Sequence, residues 1–490
     1  MTMLETFHAA RRAGAPLLAI RTPDQQATQA AIQASYTGAP PPMLDWDIVD
    51  GCHGLNESGA MAAQNLDPGD EVELLKAARH LPERSILFVH GAPPLLTSPG
   101  FRQALLNLRD QFKADHRTIV LLGHDFSLPA DLSNDVLLLE EALPTEAQLE
   151  AIIDETYKGA ALPPPDQPTM YRAIDALTGL PAFPAEQAAA MSMRETGLDL
   201  GALWTRKRQM ITQARGLSCP EPRGGFTTLG GLTAIKAYLA RMLPKIRLVV
   251  LVDEIEKTAA ASTGQAQDGG TSEDAKQCFL TRMEDRQYKG MLWPGVPGAG
   301  KTALARALAA EARCQFIQFD IGATRAGLVG SSEANIRNAF NVIDAVGGDG
   351  VLMIATCNRM AGLSPELKRR FQLATFYFDL PTSEEQGAIW PIWRKVYGIP
   401  EDYCGLPTPG WTGAEIRTCC MTADLLGCTL TEAAGYVVPV CRTAAEQIDA
   451  LRREANGRYL SASYPGLYSS KDRMPAAELA ARSIQVGGVI

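Results

Sequence analysis

The feature that most constrains the fold of this chain is a glycine-rich loop set between an apolar run and a helical run. The apolar run covers 290–294, and the helical run begins at Ala303. Strand, loop and helix in this order are the context in which the pattern GxxxxGK[ST] binds phosphate. A glycine-rich turn that matched by chance would not need these flanks. The loop fits the pattern at every fixed position, with the residues Gly295, Val296, Pro297, Gly298, Ala299, Gly300, Lys301 and Thr302.

The residue types in this loop predict binding of a nucleoside triphosphate. Glycines let backbone N–H groups turn inward around phosphate oxygens, and the N-terminus of the following helix adds the positive end of its dipole. Lys301 would reach the β- and γ-phosphates, and the Thr302 hydroxyl would hold Mg²⁺. We therefore expect a P-loop at 295–302.

Two further apolar runs end in polar residues of the kind that triphosphate hydrolysis requires. The run 246–252 is rich in Val and Leu, as a strand covered on both faces is, and it ends in Asp253 and Glu254. Ligands bind at the carboxyl edge of open α/β sheets, so we expect Asp253 to help hold Mg²⁺ and Glu254 to orient or deprotonate the attacking water. The run 351–357 ends in Asn358, which could hydrogen-bond that water or the γ-phosphate. Solvated acids and a turn asparagine are the plain alternatives.

A short helical segment beyond Asn358 ends in two cations, Arg369 and Arg370, followed by Phe371. Such arginines could act as fingers on the nucleotide of a neighbouring subunit. Cations are also favourable at the C-terminus of any helix. The residues alone leave both interpretations open.

These elements together resemble an AAA+ ATPase over about residues 222–460. Within that superfamily the chain is similar to the Ycf-type AAA proteins of cyanobacteria and algal plastids. The broader resemblance includes Gly413-Ala-Glu-Ile-Arg417. The narrower one is carried by Trp46-Asp-Ile-Val-Asp-Gly, Leu229-Gly230-Gly-Leu, Asp268-Gly-Gly-Thr-Ser and Gly327-Leu-Val-Gly.

The resemblance implies an α/β fold, a P-loop parallel three-layer sandwich followed by a small helical lid. It implies ATP and Mg²⁺ as ligands, with Gly230 among the nucleotide-binding residues, Thr302 and Asp253 at the metal, Glu254 at the water and Asn358 as a sensor. It also implies a ring oligomer, a hexamer in many members, that acts on a protein substrate or regulatory partner. Arg369 and Arg370 would then act across the subunit interface.

Two further positions bear on what such a ring would do. Leu328 stands where many hexameric unfoldases have an aromatic residue, and this departure argues against processive threading of a protein chain. Arg417, in the helical lid, could contact phosphate within its own subunit. Leu328 in place of an aromatic residue does not argue against remodelling of a single protein partner.

The order of the segments also departs from the family. In AAA+ proteins the P-loop comes first, then the acid-ended strand, then the Asn strand; here the acid-ended strand precedes the P-loop. Moving the block from about 249 to 288 to a position just after Val346 would restore the family order. Sheet position is set by burial and pairing as well as chain order, so we expect the swap to be tolerated, with two new connections that each pass one strand. ATP binding depends on the P-loop alone, whereas hydrolysis depends on convergence of all three strands. The alternative function is a nucleotide-dependent scaffold that hydrolyses ATP poorly or not at all.

The residues before the ATPase core predict an α/β domain without a P-loop. Strand-like runs at 15–21, 85–90 and 118–123 alternate with helical stretches, and 141–153 echoes 379–390 in having a strand end, a Pro-Thr cap and an acidic first helical turn. The echo predicts a degenerate AAA-like module; convergence of helix caps is the alternative. The predicted division is 1–215 for this domain, 222–385 for the ATPase core, 386–460 for the lid and 461–490 for a C-terminal tail, with a hinge at 216–225 and a flexible loop at 258–272.

Composition excludes several classes of protein. A net charge of −9 argues against broad capture of nucleic acid, and ten cysteines without a CxxC pair support neither a zinc site nor a disulfide framework. No stretch approaches ~20 uninterrupted apolar residues. The chain has no NKxD motif, which disfavours a GTPase. We therefore expect a cytoplasmic protein that does not bind a membrane; the homo-oligomer is what the resemblance implies.

Overall fold

The computed structural model describes residues 2–64, 66, 69–124, 126, 128–256, 269–324, 331–360, 363–400, 406, 408–471, 474–476, 478 and 479. Contacts between residues divide the chain into two compact units, Met1–Leu198 and Asp199–Ile490. Among the helices of the described residues, none is both long enough and apolar enough to cross a membrane.

The first unit is built on a six-stranded sheet. Its strands are β1 (Leu17–Arg21), β2 (Met43–Asp47), β3 (Gly51–Gly54), β4 (Ile86–Val89), β5 (Thr118–Gly123) and β6 (Leu137–Glu140), and a separate ladder consists of β7 (Met193–Arg194) and β8 (Gly197–Leu198). The order across the sheet is β3-β2-β4-β5-β1-β6. Every pairing in it is parallel except the antiparallel β2–β3 pair at one edge.

Helices cover both faces of this sheet, because alternate strand residues point to opposite sides and both sets are apolar. One buried cluster contains Trp46, Leu121 and Phe101; the other contains Phe7, Phe88 and Leu122. Trp46 is 2% exposed, so its indole belongs to the core of this unit. The helices are α1 (Met3–Arg12), α2 (Gln25–Ala34), α3 (Glu57–Ala63), α4 (Glu71–Ala77), α5 (Ala92–Leu95), α6 (Pro99–Ala114), α7 (Glu146–Gly159), α8 (Gln167–Leu177) and α9 (Ala182–Ser192), with a 3₁₀ turn at Ala78–His80.

The second unit is built on a seven-stranded sheet. Its strands are β9 (Leu217–Ser218), β10 (Leu248–Val252), β11 (Lys289–Pro294), β12 (Gln315–Phe319), β13 (Val351–Cys357), β14 (Ala374–Tyr377) and β15 (Leu460–Ser461). The order across the sheet is β15-β14-β11-β13-β10-β12-β9, and only the β9–β12 pair is antiparallel. The strand that ends in Asp253 and Glu254, β10, therefore lies between β13 and β12.

Helices of the second unit pack on both faces of its sheet. They are α10 (Leu200–Ile211), α11 (Thr233–Ala240), α12 (Gly269–Asp285), α13 (Lys301–Glu311), α14 (Ser331–Gly347), α15 (Pro365–Arg370), α16 (Ser383–Val396), α17 (Gly413–Leu426), α18 (Leu430–Ala434), α19 (Val440–Thr443) and α20 (Ala445–Ala455), with 3₁₀ turns at Phe226–Thr228, Leu243–Lys245, Gly322–Thr324 and Gly348–Gly350. Buried residues of α11 and α13 share a cluster with one face, and those of α12, α14, α15 and α20 share a cluster with the other. The predicted three-layer sandwich is confirmed.

The rearranged segment order is compatible with this sheet because the four crossovers that connect β10 to β14 keep the same hand. The connections β10–β11, β12–β13 and β13–β14 run in one direction across the sheet and use α12, α14 and α15, which lie on one face. The connection β11–β12 runs in the opposite direction and uses α13, which lies on the other face. Reversing both the direction and the face preserves handedness, as parallel units require. The two new connections each pass one strand, β13 in the first case and β10 in the second, as predicted.

The two sheets share one strand order once the second is numbered in the family order of its segments. In the second unit the P-loop strand β11 lies between β14 and β13, followed by β10 and β12. In the first unit β1 lies between β6 and β5, followed by β4 and β2. When these five strands are numbered in that order and the edge strands β3, β9 and β15 are left aside, both sheets have the strand order 5-1-4-3-2. This agreement supports the prediction that the N-terminal domain is a degenerate relative of the ATPase module.

Several segments take positions that the sequence did not indicate. Helices α16, α17 and α18 pack around their own cluster, whereas α20 packs with the sheet of the core. At the predicted boundary between lid and tail, β15 adds an edge strand to β14, and within the predicted tail Tyr468 is 1% exposed. In the predicted loop 258–272, α12 already begins at Gly269, and residues 258–268 lie outside the described part of the chain.

Candidate functional site

The predicted P-loop lies at the carboxyl edge of the second sheet, between β11 and α13. Gly298 and Gly300 have φ angles of +80° and +92°, the left-handed region that favours glycine. A Cβ atom on Gly298 would lie 2.7 Å from the Thr412 hydroxyl oxygen, so a side chain at this position would collide with the lid. The loop borders a cavity of about 620 Å³, a volume typical of small-molecule sites.

The first two residues of the loop pair with the end of a neighbouring strand and do not line the cavity. Gly295 pairs with Phe378, and a Cβ atom on Gly295 would lie 2.3 Å from the Phe378 carbonyl oxygen. Val296 is fully buried, and its N–H donates to the same carbonyl. The cavity is lined from Pro297 onward, so only that part of the predicted loop can contact a ligand there.

Lys301, the first residue of α13, is 7% exposed. Its ammonium donates to the carbonyl oxygens of Gly295 and Val296 at 2.8 and 3.0 Å, and to Asn358 Oδ1 at 2.9 Å. Burial lowers the pKa of this ammonium to about 8, against the opposing effect of nearby Asp253 and other acidic groups. Lys301 is thus a desolvated cation at the base of the loop, where a phosphate would be bound.

The lowered pKa of Lys301 predicts that binding of a triphosphate depends on pH. Phosphate binds the protonated ammonium, and free Lys301 loses its proton as pH rises through about 8. We expect the Kd of a fluorescent ATP analogue to rise about tenfold between about pH 7 and pH 9, because each pH unit above the pKa reduces the charged form tenfold. Equilibrium titration at the two pH values measures the change, with circular dichroism as the control for folding. Equal affinity at both values would contradict a role for the Lys301 charge.

Asp253 and Thr302 face each other where β10 ends and α13 begins. The Thr302 hydroxyl donates to Asp253 Oδ2 at 3.2 Å. The buried Thr356 hydroxyl, at the end of β13, donates to the same carboxylate and accepts the backbone N–H of Glu254 at 3.0 Å. Carboxylate and hydroxyl oxygens are ligands that suit Mg²⁺, which keeps several of its waters. Asp253 and Thr302 therefore fit the metal role predicted for them.

Glu254 and Asn358 come from different strands and meet at the sheet edge. Asn358 Nδ2 donates to Glu254 Oε1 at 3.0 Å, while Asn358 Oδ1 accepts from Lys301. Glu254 has a φ of +50°, which is strained for a residue other than glycine and typical of functional sites. The P-loop, the acid-ended strand and the Asn strand thus converge on one place despite their order in the chain.

Another part of the cavity wall comes from the linker before α11 and from the lid. A Cβ atom on Gly230 would lie 2.6 Å from Ile389 Cγ1, so the absence of a side chain allows the linker to pack on α16. The Arg417 guanidinium lies 5.3 Å from the centre of the Trp393 ring. Gly230, Ile389, Trp393 and Arg417 all line the cavity. A phosphate contact of Arg417 stays a prediction.

Arg369 and Arg370 lie on α15, and neither lines the cavity. Arg370 donates to Glu284 Oε2 at 2.6 Å, so it is engaged within its own chain. The Arg369 side chain is exposed. Of the two predicted fingers, Arg369 is therefore placed better for contact with another subunit.

Three polar groups at the site were missed by the sequence reasoning. Glu256 accepts the backbone N–H of Asn358 at 2.8 Å, and burial raises the pKa of its carboxyl. Gln447, on α20, donates to the Asn358 carbonyl oxygen at 3.0 Å. Asp379 lines the cavity and is paired with Arg452. The acidic run Asp253–Glu256 is a signal that could have found Glu256, whereas Gln447 and Asp379 carry no local motif.

Two of the segments behind the narrower resemblance fall wholly or partly outside the described residues. One is 327–330, which holds Leu328 in place of the expected pore aromatic. The other begins at Asp268, just before α12.

Two family models match parts of the chain. Residues 3–141 match the model of the SpoVK-like AAA ATPase N-terminal domain. Residues 291–347 match the ATPase family associated with various cellular activities (AAA). The second match begins within β11 and includes the P-loop, while Asp253 and Glu254 precede it in the chain.

Similar proteins cover most of the chain at low identity. The uncharacterized AAA domain-containing protein ycf46 of Guillardia theta is 20% identical over 448 residues, 81% of this chain and 80% of that protein. The protein with the same description from Trieres chinensis is 23% identical over 429 residues, 76% of this chain and 79% of that protein. The ATP-dependent zinc metalloprotease FtsH of Karelsulcia muelleri is 28% identical over 196 residues, 30% of this chain and 32% of that protein. With the P-loop and the strand order, the two family matches show that the chain carries AAA-type segments in both units, and the similarities show that it resembles the ycf46 AAA domain-containing proteins over most of its length.

Proposed function

We propose that this chain binds and hydrolyses ATP and uses the cycle to remodel or regulate a protein partner as a ring oligomer. The observation that carries the proposal is the meeting of Lys301, Thr302, Asp253, Glu254 and Asn358 at one cavity, although they come from three separate segments. A P-loop alone supports binding. A P-loop that meets two acids and an amide supports hydrolysis.

The residues take distinct roles in an in-line attack of water on the γ-phosphate. Lys301 neutralises phosphate charge, and Glu254 holds or deprotonates the attacking water. Asn358 bridges the two, since its amide contacts both Lys301 and Glu254. Asp253 and Thr302 would hold Mg²⁺, which neutralises charge on the β- and γ-phosphate oxygens when bound. Arg369 would complete the site of a neighbouring subunit.

The alternative is a scaffold that binds ATP and changes conformation or oligomer state without appreciable turnover. One contact favours it. The hydrogen bond from Asn358 Nδ2 occupies Glu254 Oε1, an oxygen that a catalytic base would turn toward water. The two functions differ in turnover, not in binding.

The decisive experiment is steady-state ATP hydrolysis by the full chain over a series of protein concentrations. Turnover per chain should rise with concentration, because each site is completed by a neighbour, and EDTA should abolish it. GTP should compete weakly for the same site. Binding of ATP without turnover at any concentration would favour the scaffold, and the absence of ATP binding would contradict both functions.

The partner on which the chain acts is proposed to be a protein. A ring of six subunits, as in many members of the superfamily, is the proposed assembly, in the cytoplasm of the cell. Sedimentation velocity with and without ATP would test the ring: a shift to larger species with ATP supports it, and a monomer under both conditions contradicts it.

A further inference from the structure

Asn358 is held at its backbone as well as at its side chain. Its side-chain amide contacts Lys301 and Glu254, as described above. Its backbone N–H donates to Glu256 Oε1 at 2.8 Å, and its backbone carbonyl accepts from Gln447 Nε2 at 3.0 Å. Asn358 follows β13 directly, so these backbone bonds fix where the strand ends and where the amide points.

Gln447 reaches this carbonyl from far along the chain. It lies in the first turn of α20, a helix that falls within the predicted lid segment 386–460 but packs on the core. The next residue, Ile448, is fully buried in a cluster with Val296 of the P-loop and Leu380. The first turn of α20 therefore contacts the P-loop and the end of β13 at once.

A buried ion pair fixes α20 against the sheet. Arg452 Nε donates to Asp379 Oδ1 at 2.9 Å, and the two side chains are 6% and 3% exposed. The Tyr468 hydroxyl donates to Asp379 Oδ2 at 2.8 Å, and Arg452 also donates to the Met474 carbonyl oxygen at 2.7 Å. Paired and hydrogen-bonded buried charges hold one geometry. Gln447 is thus presented to Asn358 by a helix that is itself anchored.

We propose that Gln447 is a positioning residue for hydrolysis, acting through Asn358. Its hydrogen bond sets the position of the Asn358 backbone, and so the contact of the Asn358 amide with Lys301 and Glu254. Nucleotide affinity depends chiefly on the P-loop, which Gln447 does not touch by a hydrogen bond. The inference rests on the proposed ATPase function and adds to it a residue outside the recognised motifs.

The test compares Gln447→Met with the wild type in kcat, KM and nucleotide affinity. Met keeps the length of the side chain and removes the donor. We expect kcat to fall about fivefold, the effect of one net hydrogen bond, with KM and the Kd of a fluorescent ATP analogue unchanged. Glu446→Met, one residue earlier on the exposed side of α20, is the matched control and should leave kcat at the wild-type value. Gln447→Glu, which offers only acceptors to the carbonyl, should lower kcat at least as much and guards against repacking by Met.

A double-mutant cycle separates positioning from a merely structural role. If Gln447 acts through Asn358, then Gln447→Met should change kcat less than twofold in an Asn358→Ala background. A full fivefold loss in that background, or unchanged kcat in both Gln447 variants, would overturn the inference. Absence of turnover in the wild type is a different result: the proposed hydrolysis itself would then fail, and this inference with it.

Discussion

Glu254→Gln is expected to bind ATP with wild-type affinity and to hydrolyse it about 10³-fold more slowly, within the range typical of a lost general base. The amide has the shape of the carboxylate, and its oxygen can still accept the hydrogen bond from Asn358 Nδ2. It cannot accept a proton from water. Binding is preserved because Lys301, Thr302 and the loop backbone are unchanged.

The measurement is steady-state turnover together with equilibrium binding of a fluorescent ATP analogue. Glu333→Gln, at a half-exposed acid on α14 that pairs with Arg337, is the control for loss of one negative charge and should hydrolyse ATP as the wild type does. Lys301→Ala is the control for loss of binding. Normal turnover in Glu254→Gln would show that another group activates the water, and Glu256, one residue beyond Ile255, is the first to examine.

The local parts of the site could be predicted because their chemistry lies in consecutive residues. The P-loop is such a part, with its glycines, Lys301 and Thr302. The acid-ended strand is another, since an unbroken Val/Leu run predicts a strand buried on both faces and so places Asp253 at its carboxyl edge. The carboxyl ends of parallel strands share one edge, and that rule alone brings Asp253, Glu254 and Asn358 together, in whatever order the strands occur.

The rest depends on contacts between residues far apart in the chain, which no local pattern encodes. Gln447 lies within a helix whose sequence fits a lid, and only the packing of its buried residues against the core brings it to Asn358. Asp379 was noted as a strand end, but its pairing with Arg452 follows from the way α20 and the C-terminal segment fold back. Gly295 matches the P-loop motif, but the structure gives a different reason for glycine at this position: Phe378 lies too close to allow a side chain.

The rearranged order shows which rules decide a sheet. Strand position follows from which apolar faces can be covered, and the hand of each crossover limits the side on which its helix lies. In this chain α12, which follows β10, lies on the same face of the sheet as α14 and α15. The crossover from β10 to β11 also runs across the sheet in the same direction as the crossovers that use those two helices, so it has the same hand. A block of one strand and one helix can therefore change its place in the chain and keep its place in the sheet.

Arg369→Ala is expected to lower turnover about 10³-fold while leaving ATP binding unchanged, because a finger supplied by a neighbouring subunit stabilises charge only in the transition state. Arg369 is exposed and lies outside the cavity of its own chain, as a group that serves another site must. Arg370→Ala is the matched control. Arg370 is already paired with Glu284, so its loss should affect turnover much less.

Mixing the two inactive variants distinguishes a finger from a structural arginine. An Arg369→Ala subunit retains Glu254, and a Glu254→Gln subunit retains Arg369. A mixed ring therefore contains sites with an intact base on one subunit and an intact arginine from its neighbour. Activity that appears on mixing, from two proteins inactive alone, requires Arg369 to act in trans. If the mixture stays inactive although the subunits exchange, Arg369 serves its own subunit or only the fold. Equal losses in Arg369→Ala and Arg370→Ala would point to α15 as a whole and away from a single finger.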